Sequence, residues 1–201
     1  MKSTLITILR DKTTSIEKFR SATEQLGLLL AHVVHAGLEN KNVTVQTPLG
    51  KAKGHRFAQS VVLIPILRAG LTLLPPFVTA FPEAKVGMIG LRRNEKDATA
   101  HMYYENIPQI GEKDQVILLD PMIATGGSTL KTIDFLVKRG VKPEKITTVH
   151  IISAPQGLEA VKTKYPRVNI IVAQEDERLT DDNFIYPGLG DYGDRYYGTG
   201  P

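Results

Sequence analysis

Residues 116–130 read VILLDPMIATGGSTL. Four apolar residues end on a carboxylate, Asp120, and Thr125, Gly126, Gly127, Ser128 and Thr129 follow within ten positions. A short Val/Ile/Leu run bounded by turn residues is the pattern of a strand buried on both faces. Beyond the glycines the period changes. Leu130, Ile133, Leu136 and Val137 share one helical face, which Lys138, Arg139 and Gly140 close. A strand that passes through a small-residue turn into a helix is half of a parallel α/β unit.

The same alternation extends in both directions. Upstream, VVLIP (61–65) and KVGMIGL (85–91) read as strands, with a loop at Arg68–Gly70 and a helix over 71–80 between them. Pro75 and Pro76 require that helix to begin or kink there. Downstream, ITTVHII (146–152) and VNIIVAQ (168–174) are strands separated by a short helix over 157–164. An amphipathic helix spans Lys18–Leu38, capped by Thr14 or Ser15, and residues 40–60 read as a hairpin or excursion. Residues 92–115 lack core periodicity and form an arm. The tail from Asn183 is rich in Gly and Tyr. The expectation is one domain over 1–201, with its core sheet and helices at 61–174, the arm at 92–115 and the tail at 183–201.

The totals agree with that plan. The chain has 201 residues, 42% hydrophobic and 23% charged, enough to bury a real core. No apolar run approaches a membrane span, and the N-terminus meets Arg10, Asp11 and Lys12 too early for a leader, so no membrane partner is expected. The absence of cysteine excludes disulfides and thiolate metal sites and makes a cytoplasmic address the expectation. A net charge of +4 suits an anionic small substrate without demanding one.

In parallel sheets, ligands lie beyond the carboxyl ends of the strands. That rule selects the loops Arg68–Gly70, Arg92–Asp97, Asp120–Thr129 and Ser153–Gly157. The first of the 120s to be placed is the small-residue loop, whose free N–H groups at a helix N-terminus suit a phosphate. Thr125, Ser128 and Thr129 add hydroxyls, and Asp120 offers a carboxylate to sugar hydroxyls. Acid plus cradle describes a sugar-phosphate pocket. The same residues would also serve a capped turn that satisfies only its own backbone. A Walker loop is excluded because no Gly-Lys-Ser/Thr ending follows. GLGDYG (188–193) matches G-x-G-x-x-G, but Pro187 precedes it and too little chain follows to complete a βαβ unit.

These residues resemble the type I phosphoribosyltransferases. DPMIATGGST is similar to their motif for phosphoribosyl diphosphate (PRPP), in the form found in the uracil phosphoribosyltransferase family, where a proline such as Pro121 replaces the second acid. PILRAG (65–70), RRNE (92–95) and YPGLGDYGDRYYGT (186–199) match in the same order, and LRDKTTSIEKFR and VQTPLG extend the likeness over nearly the whole chain. The resemblance implies an α/β fold of type I, with a central, mostly parallel sheet flanked by helices, a β-arm and a C-terminal base-binding hood. It implies conversion of uracil and PRPP to UMP and diphosphate.

The site roles follow from the resemblance. PRPP would be held by Asp120, Pro121, Met122, Ile123, Ala124, Thr125, Gly126, Gly127 and Ser128, with Arg68, Arg93 and Asp191. Uracil would meet backbone groups at Ile185, Gly190, Asp191 and Tyr192. Arg68, Asp120 and Asp191 would act in catalysis. Mg²⁺ would bind mainly through PRPP, without a dedicated protein metal site, and the partners would be uracil, PRPP and further copies of the chain in a homodimer or homotetramer. Tyr192, Lys96, Asp97, His32–Val33 and Pro75–Pro76 depart from the commoner family residues.

The remaining features take ordinary readings. His32 and His35 read as packing or surface residues and not as metal ligands. Lys51, Lys53, His55 and Arg56 form a solvated basic stretch. Some proteins of this fold are PRPP-sensing RNA regulators. Pro121 and the pyrimidine-type tail favour the enzyme, so no nucleic-acid partner is expected.

Overall fold

The computed structural model describes residues 1–93 and 100–200. Its centre is a sheet of eight strands: β3 (Val61–Leu67), β4 (Lys85–Val86), β5 (Met88–Arg93), β6 (Ala100–Asn106), β7 (Gln115–Leu119), β8 (Met122–Ile123), β9 (Ile146–Ser153) and β10 (Asn169–Glu175). The order is β10-β9-β7-β3-β5-β6, with β4 beside β3 and β8 beside β9. All pairings are parallel except β5 with β6. The stretch read as one strand over 85–91 is thus two, interrupted at Gly87, and both halves run along β3.

The strands alternate between two cores. Leu63, Ile117, Leu119, Val149 and Ile151 face α1 (Lys2–Arg10), α2 (Ile16–Ala36) and α3 (Leu74–Ala80). Val62, Ile64, Val116, Leu118 and Ile146 face α4 (Gly127–Lys138) and α5 (Pro155–Lys164). Covering both faces explains why these strands read as unbroken apolar runs. Ser15 caps α2 by accepting from the Lys18 N–H, and Pro75 and Pro76 stand in the first turn of α3, so the helix begins there and is not kinked.

Two elements differ from the sequence reading. Residues 2–10, to which the sequence reading assigns no element, form α1 and bury Leu5, Ile6 and Leu9. The periodicity lies in only four residues, Leu5, Ile6, Ile8 and Leu9, too few to distinguish a helix without the groove that receives them. The arm also has structure on its near side: β6 pairs with β5 and extends the sheet.

The excursion over 40–60 is a two-stranded hairpin, β1 (Asn40–Gln46) with β2 (Lys51–Phe57), outside the main sheet. Lys51, Lys53, His55 and Arg56 lie exposed along β2. A smaller pair, β11 (Arg178–Leu179) with β12 (Ile185–Tyr186), leads to the terminal helix α6 (Tyr192–Tyr197). Among the described residues no helix is long and apolar enough to cross a membrane.

Candidate active site

β7 delivers Asp120 to the carboxyl edge of the sheet. Beside it β9 runs unbroken, pairing first with β7 and then with β8, so Asp120 and Pro121 bulge out between two paired segments. The Pro121 carbonyl accepts from the N–H groups of Ile151 and Ile152, at 2.8 and 3.1 Å. The Asp120 carbonyl is taken by a side chain: His150 Nδ1 lies 2.7 Å away. His150 is buried, and burial pushes its pKa down to about 4, so the ring is neutral and Nδ1–H is the donor. Its other nitrogen, Nε2, is buried without a partner among the described residues. Burial likewise raises the Asp120 carboxyl, to about 7, against one main-chain hydrogen bond from Met122.

The loop after Asp120 is a cradle of main chain. Gly126 has φ +82°, a left-handed conformation that suits glycine, and it precedes the first turn of α4. A Cβ on Gly157 would stand 2.3 Å from the Ala124 carbonyl, so only glycine at the start of α5 lets the loop sit this close. The first N–H groups of α4 have no acceptor within the helix and carry the positive end of its dipole.

Opposite the cradle stands the tail. Asp191 caps α6, with Oδ1 accepting from the Asp194 N–H at 2.8 Å. The turn between β11 and β12 closes through Asn183, at φ 64°, whose N–H donates to the Thr180 carbonyl. A cavity of about 260 Å³ lies between, lined by Asp120, Met122 to Thr129, Asn183, Phe184 and Asp191. Two of its walls, Asn183 and Phe184, were missed from sequence. They sit just before the motif and belong to no recurring pattern, so only their fold across the cavity marks them.

Other expected site residues lie at the rim or beyond it. Arg68 follows a cis Leu67–Arg68 peptide and is largely exposed; its guanidinium lies 5.7 Å from the Tyr197 ring and 3.9 Å from Asp194, while Tyr197 donates to its carbonyl. Ile185 is buried and Gly190 exposed, both in the tail beside Asp191. Pro121 is buried under the loop. Tyr192 is 1% exposed: its ring packs on Phe19, and its hydroxyl meets Thr72 and Thr23 at 2.9 and 3.1 Å. Its bulk therefore fills the core and leaves the cavity untouched.

The Arg93 side chain, and Asn94, Glu95, Lys96 and Asp97 of the expected loop, lie outside the described residues. His32 Nδ1 bonds the Leu28 carbonyl, and His35 packs edge-on against Phe57.

Comparison with known proteins agrees with this geometry. The family model described as uracil phosphoribosyltransferase matches residues 2–199. The uracil phosphoribosyltransferase of Dictyoglomus turgidum is 44% identical over 195 residues, covering 96% of this chain and 93% of that protein. The solved structure of the AQ2163 protein from Aquifex aeolicus superposes with a TM-score of 0.90 at 36% identity, over 98% of this chain and 93% of that one. A hypoxanthine-guanine phosphoribosyltransferase from Bacillus anthracis shares the fold alone, at TM-score 0.52 and 11% identity over 80% of each chain.

Proposed function

The chain belongs to the uracil phosphoribosyltransferase family and has the type I phosphoribosyltransferase fold, and from that premise we propose that it converts uracil and PRPP to UMP and diphosphate. The observation that carries this reading is the single cavity in which Asp120, the Ala124–Thr129 cradle and Asp191 meet. The cradle takes the 5-phosphate on its N–H groups and hydroxyls. Asp120 takes the ribose hydroxyls, and Arg68, close by in the exposed loop, turns to the diphosphate.

Mg²⁺ would be held mainly by oxygens of PRPP and would supply positive charge to the leaving group. Asp191, at the cavity wall, would accept a hydrogen bond from a water of such an ion.

The bond from C1′ to the diphosphate oxygen breaks, and its electron pair leaves with the diphosphate. Uracil N1 forms the new bond to C1′ and gives up its proton, which Asp191 accepts. Positive charge builds on the ribose ring meanwhile, so a carboxylate anchored at its hydroxyls favours the transition state. Uracil presents an acceptor–donor–acceptor edge that fixed main-chain groups at Ile185, Gly190, Asp191 and Tyr192 can match. Cytosine reverses two polarities there, at N3 and at position 4, and would leave buried groups unpaired, at about 1–3 kcal/mol each.

The test is a chromatographic assay of the protein with PRPP and Mg²⁺ against uracil, cytosine, hypoxanthine, adenine and orotate. UMP is expected from uracil alone. No nucleotide from any base, in protein that binds PRPP, would overturn the reading. The same reading includes a cytoplasmic homodimer or homotetramer. Light scattering would give the mass.

A further inference from the structure

The base-binding tail is held from behind by groups distant in sequence. Asp176, directly after β10, has a side chain only 2% exposed. It accepts from the Gly188 N–H at 2.8 Å and from both terminal nitrogens of Arg10, which closes α1. Arg10 Nη1 also reaches the Gly188 carbonyl at 3.3 Å. From α6, Arg195 donates to the Leu189 carbonyl at 2.9 Å, to the Asp11 carbonyl at 2.6 Å and to that of Leu9. Its guanidinium also lies over the Phe19 ring, 4.6 Å from the centroid.

Peptide geometry turns these contacts into an aiming device. A carbonyl and the N–H of the next residue share one rigid plane and, in a trans peptide, point in opposite directions. Arg195 draws the Leu189 carbonyl toward α1, so the Gly190 N–H must face the other way. Arg10 does the same with the Gly188 carbonyl, which turns the Leu189 N–H outward. No hydrogen bond within the described residues engages the main chain of Gly190, the position through which the tail is read above as meeting uracil.

We propose that Arg195 and the Arg10–Asp176 pair are positioning residues that aim the tail's N–H groups at the base and so set affinity for uracil without touching it. The proposal rests on the reading of the tail as the uracil site. It makes α1, an element with no atom on the cavity wall, part of base recognition.

Steady-state kinetics of Arg195→Ala, Arg195→Lys, Arg10→Ala and Asp176→Asn test it, with uracil and PRPP varied separately. Arg195→Ala should raise KM for uracil about tenfold, the loss of one well-aimed hydrogen bond, and leave KM for PRPP within about twofold. Arg195→Lys should fall between, since an ammonium keeps the charge but loses the fork that spans several carbonyls. Val168→Ala, at the far end of β10, serves as a control that lowers the melting temperature without touching the tail.

A uracil KM that stays at the wild-type value, one that rises only in step with the PRPP KM, or an equal rise in the control would overturn the proposal. Wild-type protein that forms no UMP would overturn the function itself; wild-type UMP formation with unmoved variants would overturn the aiming alone. Should the alanine variants not fold, Arg195→Lys and Asp176→Asn carry the same comparison.

Discussion

Strand β7 is bracketed by two aspartates in opposite states. Asp114, just before it, is buried, which alone would raise its pKa. Ser60, the Gly111 N–H at 2.9 Å and Lys85 at 3.2 Å outweigh that and hold it below the usual carboxylate range. Asp120, just after it, has one main-chain donor to set against burial, and rises to about 7. Six positions apart, one acid is fully answered by its own protein and the other is left wanting partners. An unanswered carboxylate at the ligand end of a parallel sheet is what the proposed reading, with Asp120 on the ribose hydroxyls, requires.

The contrast breaks most sharply under substitution. Asp120→Asn should lower kcat by ~10²–10³-fold while the melting temperature holds or rises, since a poorly solvated charge is lost. A raised KM with unchanged kcat would instead assign Asp120 to ground-state binding. Gly157→Ala, with a Cβ 2.3 Å from the Ala124 carbonyl, should displace the cradle and reduce kcat/KM for PRPP by ~10²-fold, with kcat/KM for uracil at saturating PRPP less affected. At the other end of the strand the signs reverse. Asp114→Ala should cost about 2 kcal/mol of stability in urea titration, through the orphaned Ser60 and Gly111 donors, and leave kcat within about twofold.

pH sharpens the same comparison. If the ionised Asp120 receives the ribose, kcat/KM for PRPP climbs as pH rises through about 7 and flattens above, and Asp120→Asn abolishes that limb. The smallest effect lies in stability. The unfolded Asp120 carboxyl ionises near 3.8 and the folded one near 7, so this group makes stability fall as pH rises between those values. His150, lowered from 6.5 to about 4, acts the opposite way: its contribution is lost as pH falls through that interval. The two slopes, at most about 1.4 kcal/mol per pH unit each, nearly cancel over pH 4–6.5. His150→Leu should uncover the falling slope and Asp120→Asn the rising one, read from denaturant titrations across that range. Identical pH profiles in the two variants would overturn the cancellation of the two slopes.

By itself the sequence determined what is written in contiguous residues. The buried strands were legible because covering both faces of a parallel sheet makes each an apolar run, and the cradle because strand, small-residue turn and helix follow one another from Val116 to Lys138. The helix α1 was not, since four apolar residues acquire meaning only against α2.

Only the tertiary structure decided how distant groups serve the site. It sent the Tyr192 side chain into the core between Thr23 and Thr72, brought Asn183 and Phe184 over the cradle, and closed Arg10, Asp176 and Arg195 around one short stretch of the tail. The cause is the same throughout. Local periodicity records which face of an element is buried, whereas the partner of a buried polar group is chosen by how separate segments of the chain cross, which no local pattern encodes.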